Sequence, residues 1–318
     1  MRLRNVEFGH VFNASGARGF FGEGYAFHEL FKQLGLDYAG STFVTKTTTL
    51  APRAGNMPLD ASYRPRAFVP NCIVVKPFAG VVLNAVGLSG PGVDKLRQHW
   101  FERASTNPTP FVISIMSVAA TATARIGEIR ELLALLWSVF DRAPLLVGLQ
   151  VNLSCPNAGL DTSHLTAEAT AILDETVRLG VPTMLKVNAL ISCGDAWAIT
   201  KHPGCDALVM SNTIPWGQLS DQIDWAGIFG SKTSPLVGYG GGGLSGKPLL
   251  PIVTQWIRRA RTLGLTKPII GGGGILSQDD AAAMLDAGAD AIELGAVSIL
   301  RPWRVRGIIQ YVNARMSM

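Results

Sequence analysis

The stretch Val151-Asn152-Leu153-Ser154-Cys155-Pro156-Asn157 sets a thiol between two amide side chains, at the end of the apolar run Leu145 to Leu153. Asparagine both donates and accepts hydrogen bonds, so a pair of them can hold the imide-like edge of a small polar ring. A thiol with an ordinary pKa of about 8.5 has some thiolate within reach and can serve as a nucleophile or as a base on an acidic C–H. A strand ending in this way delivers Asn152, Cys155 and Asn157 to one place, where a small molecule can be held and deprotonated. A lone cysteine is more commonly a small buried hydrophobe, and that is the reading for Cys72, Cys193 and Cys205.

A second chemistry-bearing pattern lies late in the chain. Gly271-Gly272-Gly273-Gly274 follows an apolar strand and precedes Ser277-Gln278-Asp279-Asp280, a helix start with a capping serine. Glycines there let backbone amides converge on an anion, and a helix amino terminus adds favourable potential. The next strand ends at Gly295-Ala296, immediately before another helix. Glycine turns at successive strand ends point to a phosphorylated cofactor or substrate, although each turn alone is also what a tight connection without ligand needs. No Gly-x-Gly-x-x-Gly opens an early strand-helix-strand unit, which disfavours a Rossmann fold.

These residues must be positioned by the elements around them. Candidate strands are Val11 to Ala14, Tyr38 to Thr45, Phe111 to Met116, Leu146 to Leu153, Thr183 to Val187, Ala207 to Ser211, Pro268 to Gly271 and Ala291 to Leu294. Segments of helical period alternate with them at Val93 to Ala104, Ile126 to Phe140, Ala167 to Leu179, Leu249 to Leu263, Gln278 to Ala287 and Val297 to Val312. Such alternation predicts parallel strands with crossover helices, and the count fits an α/β fold of the (β/α)8 TIM-barrel type. Two long Gly/Pro-rich intervals, about 47–92 and 213–248, read as inserted loops over the carboxyl-end face, because strand-helix units resume after each.

Composition narrows the classes. A chain of 318 residues, 47% hydrophobic, is expected to form one domain spanning 1–318. No apolar run reaches the roughly 18 uncharged residues of a membrane span, and the amino terminus lacks the apolar core of a secretory signal. The expected setting is the cytoplasm, with no membrane partner. The net charge of +5 is scattered, apart from Arg301, Arg304 and Arg306, without the basic and aromatic stripe that nucleic acid requires. The four cysteines have no disulfide or iron-sulfur spacing and none of the five histidines pairs at metal spacing, so no metal is expected.

Taken in order, the motifs resemble those of the dihydroorotate dehydrogenases. The matching segments are Asn13-Ala14-Ser15-Gly16, Thr45-Lys46-Thr47 with Thr49-Leu50, Gly55-Asn56, Asn84 with Gly87-Leu88, the Asn152 to Asn157 loop, Lys186-Val187, Asn212-Thr213, Gly243 to Pro248 and the two late glycine turns. The likeness covers nearly the whole chain. It implies a flavin mononucleotide (FMN) barrel that oxidises dihydroorotate to orotate in pyrimidine synthesis. It assigns Cys155 as the base that takes the C5 proton while hydride leaves C6 for flavin N5, and Lys46 as a lysine near both flavin and substrate. It places Asn84, Asn152, Asn157, Asn212 and Thr213 against the pyrimidine and its carboxylate. It gives Ala14, Ser15, Gly16, Lys46, Asn152 and Lys186 as flavin contacts, with Gly246, Gly273, Gly274, Gly295 and Ala296 at the flavin phosphate. Cysteine as the base resembles the soluble class 1 enzymes, which implies a homodimer.

The Thr45 to Arg53 segment leans towards the NAD-linked type, which works with a second subunit carrying FAD and a [2Fe-2S] cluster; the cysteine spacing here leaves any such cluster to that partner. Fumarate and quinone stay open as acceptors. Three departures from the family pattern touch loops: Gly90 in Ser89-Gly90-Pro91-Gly92 where an asparagine is common, Leu59-Asp60 where a loop arginine is expected (lost or displaced to Arg64 or Arg66), and the unfamiliar Ile214-Pro215-Trp216-Gly217. They leave room for another dihydropyrimidine or cyclic amide as substrate, or for a non-catalytic barrel that binds a phosphorylated metabolite.

Overall fold

Strands buried on both faces read as continuous apolar runs, and the segment Val147–Asn152 has every residue buried. It is the fourth of eight parallel strands: β1 (Val11–Asn13), β2 (Phe43–Val44), β3 (Phe111–Ile115), β4 (Val147–Asn152), β5 (Thr183–Val187), β6 (Ala207–Met210), β7 (Ile269–Gly272) and β8 (Ala291–Leu294). The computed structural model describes residues 1–153 and 165–317, so Cys155 and Asn157 lie outside the described residues. The strands pair in the order β1-β8-β7-β6-β5-β4-β3-β2, and a parallel bridge from Phe12 to Thr42 brings β2 back to β1. A closed barrel results, as the alternation of elements predicts.

Crossover helices cover the outside, where Ile113 and Leu149 face outwards into one apolar cluster with Leu132, Leu136 and Leu173. The helix expected at Ile126 to Phe140 runs Ala122–Arg142, its first turn satisfied by Thr121, whose side chain accepts from the Ala124 amide. The helix expected at Val297 to Val312 is in fact broken into Val297–Leu300, a 3-10 turn Pro302–Arg304 and Val305–Met316. Pro302 has no amide hydrogen to continue the first helix and starts the turn instead. Sequence periodicity also misses the eight-residue helix Cys193–Thr200, too short for its apolar stripe to stand out.

Inward side chains change character along the lumen. At the amino end, Phe12, Val44, Val112, Met184, Ala207, Val209, Ile270 and Ala291 form one apolar cluster with Leu3, Val6 and Phe8. Leu3 and Val6 belong to the antiparallel hairpin Arg2–Leu3/Val6–Glu7, which plugs this end. Gly148 makes room for the plug: a Cβ there would meet the Phe8 ring at 2.8 Å. Towards the carboxyl end the same inward rows become Ser114, Gln150, Asn152, Lys186 and Glu293.

The two long intervals are not separate loops. Strands Ile73–Lys76 and Val81–Asn84 from the first join Gly243–Gly246 and Ile214–Pro215 from the second in one four-stranded antiparallel sheet. Trp216, the centre of the unfamiliar segment, packs against Trp225 and Phe229 at 4.8 and 5.0 Å between ring centroids, so an aromatic knot holds the second insertion together.

Candidate active site

One cavity opens between the carboxyl ends of the strands and this inserted sheet. Each predicted site residue within the described chain lines it. Lys46 and Ser15 come from the loops after β2 and β1, Asn152 and Lys186 from β4 and β5, and Asn212 and Thr213 from the segment after β6. Asn84 faces them from the inserted sheet. The structure therefore gathers residues from Ala14 to Ala296 in one place, as parallel strands do when all their carboxyl ends meet on one face.

The polar side chains hold one another in place. Asn212 donates from Nδ2 to Asn152 Oδ1 at 3.0 Å and accepts at Oδ1 from the Thr213 amide at 2.9 Å. Lys46 is 9% exposed; its Nζ donates to the Ser89 carbonyl at 2.5 Å and lies 5.1 Å from the Phe20 ring centre. Ser15 Oγ donates to the Thr45 carbonyl at 2.9 Å and lies 2.8 Å from Thr47 Oγ1, and this chain of hydroxyls continues through Ser114 to Gln150 inside the barrel. Asn84 Nδ2 donates to the Gly243 carbonyl at 3.4 Å, across the strand pair that frames the cavity.

At the other end the cavity is edged by backbone. Gly246 has φ +109°, and a Cβ there would sit 2.1 Å from the Gly80 carbonyl oxygen; at Gly274, φ +80°, it would sit 2.6 Å from the Leu250 amide. Only glycine fits such close approaches. Gly273, Gly295, Ala296 and Gly16 complete this rim with Ala14, whose amide donates to the Leu294 carbonyl at 2.8 Å. The sequence reading attached the favourable helix terminus to Ser277. Ser277 does cap its own helix, accepting from the Asp280 amide, but it does not line the cavity. Two helices start at this rim: Leu249–Thr262, whose first residue packs against Gly273, and the short Val297–Leu300, which follows directly on Ala296 as the sequence reading expects. The amino end of a helix carries favourable potential for an anion.

Sequence reasoning missed Glu293. It lines the cavity, is 3% exposed, and accepts a 2.6 Å hydrogen bond at Oε2 from Lys186 Nζ. A lone carboxylate inside the apolar strand Ala291–Leu294 is the signal, since a buried charge needs a partner. Tyr25, which also lines the cavity, was missed as well; burial pushes its hydroxyl up to about 12.

Neither Arg64 nor Arg66 lines the cavity; Arg66 donates from Nε to the Leu59 carbonyl in an exposed turn. Gly90 has a structural reason, because a Cβ there would press the Phe20 ring at 3.0 Å, the same ring that faces Lys46. Burial raises the Cys72 and Cys193 thiols and takes Cys205 up to about 12, consistent with packing rather than chemistry. Among the described residues no cluster of metal-ligating side chains occurs, and no helix is long and apolar enough to cross a membrane.

A closed (β/α)8 barrel with amide, lysine and glycine-edged walls around one cavity at the carboxyl ends of its strands has the architecture of a barrel enzyme. The family model for dihydroorotate dehydrogenase matches residues 2–316, and the chain belongs to that family of oxidoreductases. A catalytic subunit of dihydroorotate dehydrogenase B (NAD(+)) from Desulforudis audaxviator is 33% identical over 300 residues, covering 92% of this chain and 83% of the relative. A dihydroorotate dehydrogenase A (fumarate) from Lacticaseibacillus paracasei is 32% identical over 292 residues, covering 90% and 86%. The crystal structure of Eimeria tenella DHODH in complex with ferulenol superposes with a TM-score of 0.67 at 20% identity, covering 95% of this chain and 80% of that one, which establishes likeness of fold.

Proposed function

We propose that this chain oxidises (S)-dihydroorotate to orotate in pyrimidine biosynthesis, as a single FMN-binding domain over residues 1–318. The observation that carries the reading is the meeting of Lys46, Asn84, Asn152, Lys186, Asn212 and Thr213 in one cavity with a glycine rim at its far end. The donor set fits FMN. Gly246, Gly273, Gly274, Gly295 and Ala296 would hold the phosphate through backbone amides, the helix end at Leu249 adding potential. Ala14, Ser15, Gly16 and Lys186 would contact the ring system, with Lys186 at its N1 and O2 edge. When bound, FMN supplies the acceptor for the hydride, and so for the two electrons of the oxidation.

The protein residues handle the rest. Asn84, Asn152, Asn212 and Thr213, joined by Asn157, would hold the pyrimidine edges, where neutral amides avoid repelling an anionic substrate as carboxylates would. Lys46 would lie close to both ligands. Cys155 as thiolate would take the C5 proton; the C5–H electron pair becomes the C5=C6 double bond as hydride leaves C6. Cys155 and Asn157 enter by sequence motif.

For the oxidant we propose NAD reached through an electron-transfer subunit carrying FAD and a [2Fe-2S] cluster, and the NAD(+) catalytic-subunit names among the relatives support that choice; the barrel itself we take to be a cytoplasmic homodimer, as the resemblance to class 1 enzymes implies. Mixing the purified protein anaerobically with dihydroorotate should bleach a yellow flavin band. A yellow protein that fails to bleach with dihydroorotate but does so with dihydrouracil would move the substrate to another reduced pyrimidine. Cys155→Ala should keep the flavin yet slow the bleaching by at least about a hundredfold, the lower range for a positioned base; unchanged kinetics would remove Cys155 from the role.

A further inference from the structure

The Lys186–Glu293 pair is built across the barrel lumen. Lys186 stands on β5 and Glu293 on β8, with side chains 6% and 2% exposed and 2.6 Å between Nζ and Oε2. Directly beside Glu293 in register is Gly272 on β7, where a Cβ would come within 3.2 Å of the Glu293 Cβ and 3.4 Å of Oε2. The missing side chain at 272 is what lets the carboxylate extend over β7 towards β5. Its other oxygen, Oε1, is buried without a hydrogen-bond partner among the described residues.

Stability does not account for this arrangement. A buried ion pair seldom outperforms well-packed apolar residues, and a buried acceptor left unsatisfied is costly. Both residues line the cavity, and Glu293 is the only carboxylate among the described residues that do. The use of the pair is therefore to be sought in what the cavity holds.

We propose that Glu293 is a positioning residue that fixes Lys186 and offsets its charge, and so lowers the reduction potential of the flavin bound against it. This rests on the FMN reading above. A lone ammonium at the ring edge would favour the electron-rich reduced ring; with a carboxylate 2.6 Å away the cation becomes one end of a dipole, whose field falls off faster with distance. Fixing the long lysine chain also keeps its ammonium from moving closer as the ring gains electrons. Glu293→Gln keeps the shape and removes the compensating charge.

The test uses the flavin-loaded protein, with the midpoint potential and the affinity for sulfite measured for the wild type, Glu293→Gln, Lys186→Met and the double variant. Sulfite binds oxidised flavins more tightly when positive charge lies near the ring, and it reads that charge without turnover. Glu293→Gln should bind sulfite at least tenfold more tightly and shift the two-electron potential upwards by about 30 mV, the equivalent of tenfold. Both shifts should be smaller when Lys186 is already methionine, because no ammonium is then left for Glu293 to fix or offset. If Glu293→Gln loses its flavin, Glu293→Asp, which withdraws the carboxylate by one methylene, should move both quantities the same way by less. Unchanged potential and sulfite affinity in a yellow variant would overturn the role of Glu293 and leave the FMN reading standing, as would equal shifts in both lysine backgrounds. A wild type that takes up no FMN on reconstitution would overturn both.

Discussion

The lower and upper halves of the barrel lumen are made by the same strands and the same inward alternation, yet they do opposite things with it. Below, Phe8, Phe12, Val44, Val112, Met184 and Ile270 pack into one apolar cluster with residues of the amino-terminal hairpin. Above, Ser114 donates to Gln150 inside the barrel, while Asn212 donates to Asn152 and Lys186 to Glu293 in the wall of the cavity. Apolar packing is tolerant in direction and supplies stability; buried polar groups are demanding in geometry and supply little net stability. The difference teaches that this barrel separates its two tasks by height along shared strands. The boundary falls at the register pair Phe12 and Glu293, neighbours on β1 and β8.

Breaking that comparison at each level should give different signatures. Phe12→Ala, at a site 1% exposed, should cost about 3–5 kcal/mol, read as a lower midpoint of chemical denaturation, while the visible spectrum of the flavin-loaded protein stays as in the wild type. Lys186→Met should cost a similar amount, about 3–5 kcal/mol, because it strands the Glu293 carboxylate in a site 2% exposed. Unlike the Phe12 change, it should also alter the flavin spectrum, and most of the lost stability should return in the double variant Lys186→Met/Glu293→Gln. A Phe12 variant with a changed spectrum, or a Lys186 variant with neither effect, would erase the division by height.

Smaller changes sharpen it. Ser114→Ala removes the link between Thr47 and Gln150, both at hydrogen-bond distance, and should cost about 1 kcal/mol while weakening FMN retention at Ser15 only slightly. His28, outside the lumen, supplies a control with a defined pH signature. The Tyr25 amide donates to its Nδ1 at 3.2 Å, so Nε2 carries the proton and donates to the Ser298 carbonyl at 2.9 Å. Burial holds this imidazole below its ordinary value of 6.5. The unfolded chain therefore takes up a proton that the fold resists. Stability from His28 is complete above pH 6.5 and falls as pH drops through that value towards the folded one. Thermal melts from pH 8 to 5 should show a shallower decline in His28→Gln; an unchanged slope would show that His28 does not titrate in this way.

Much of the fold was legible because its period was. Thr183–Val187 and Ala291–Leu294 are apolar runs of strand length between helical segments, and both form strands with the bounds read from sequence. The glycine turns were legible as places where backbone must come close, which Gly246 and Gly274 satisfy. Signals that depend on partners were not legible. Residues Val81–Asn84 and Gly243–Gly246 lie far apart in sequence and look like parts of two loops, because neither short strand has a hydrogen-bonding partner until the other arrives. Glu293 sat in plain view inside an apolar strand, but its meaning depends on a lysine 107 positions away and on an absent side chain at Gly272. Pro302 was a readable helix break that periodicity alone passed over.

By itself, the sequence determined the alternating barrel, the family, and the residue types presented for chemistry, because these follow from local period and from motifs carried in order along the chain. Tertiary structure alone decided that the helix end at Leu249 joins the glycine rim, that the two insertions share one sheet, and that a buried carboxylate stands behind Lys186. Those are relations between distant segments. Their energies arise from closeness in space, which burial and hydrogen bonding create only once the barrel has closed.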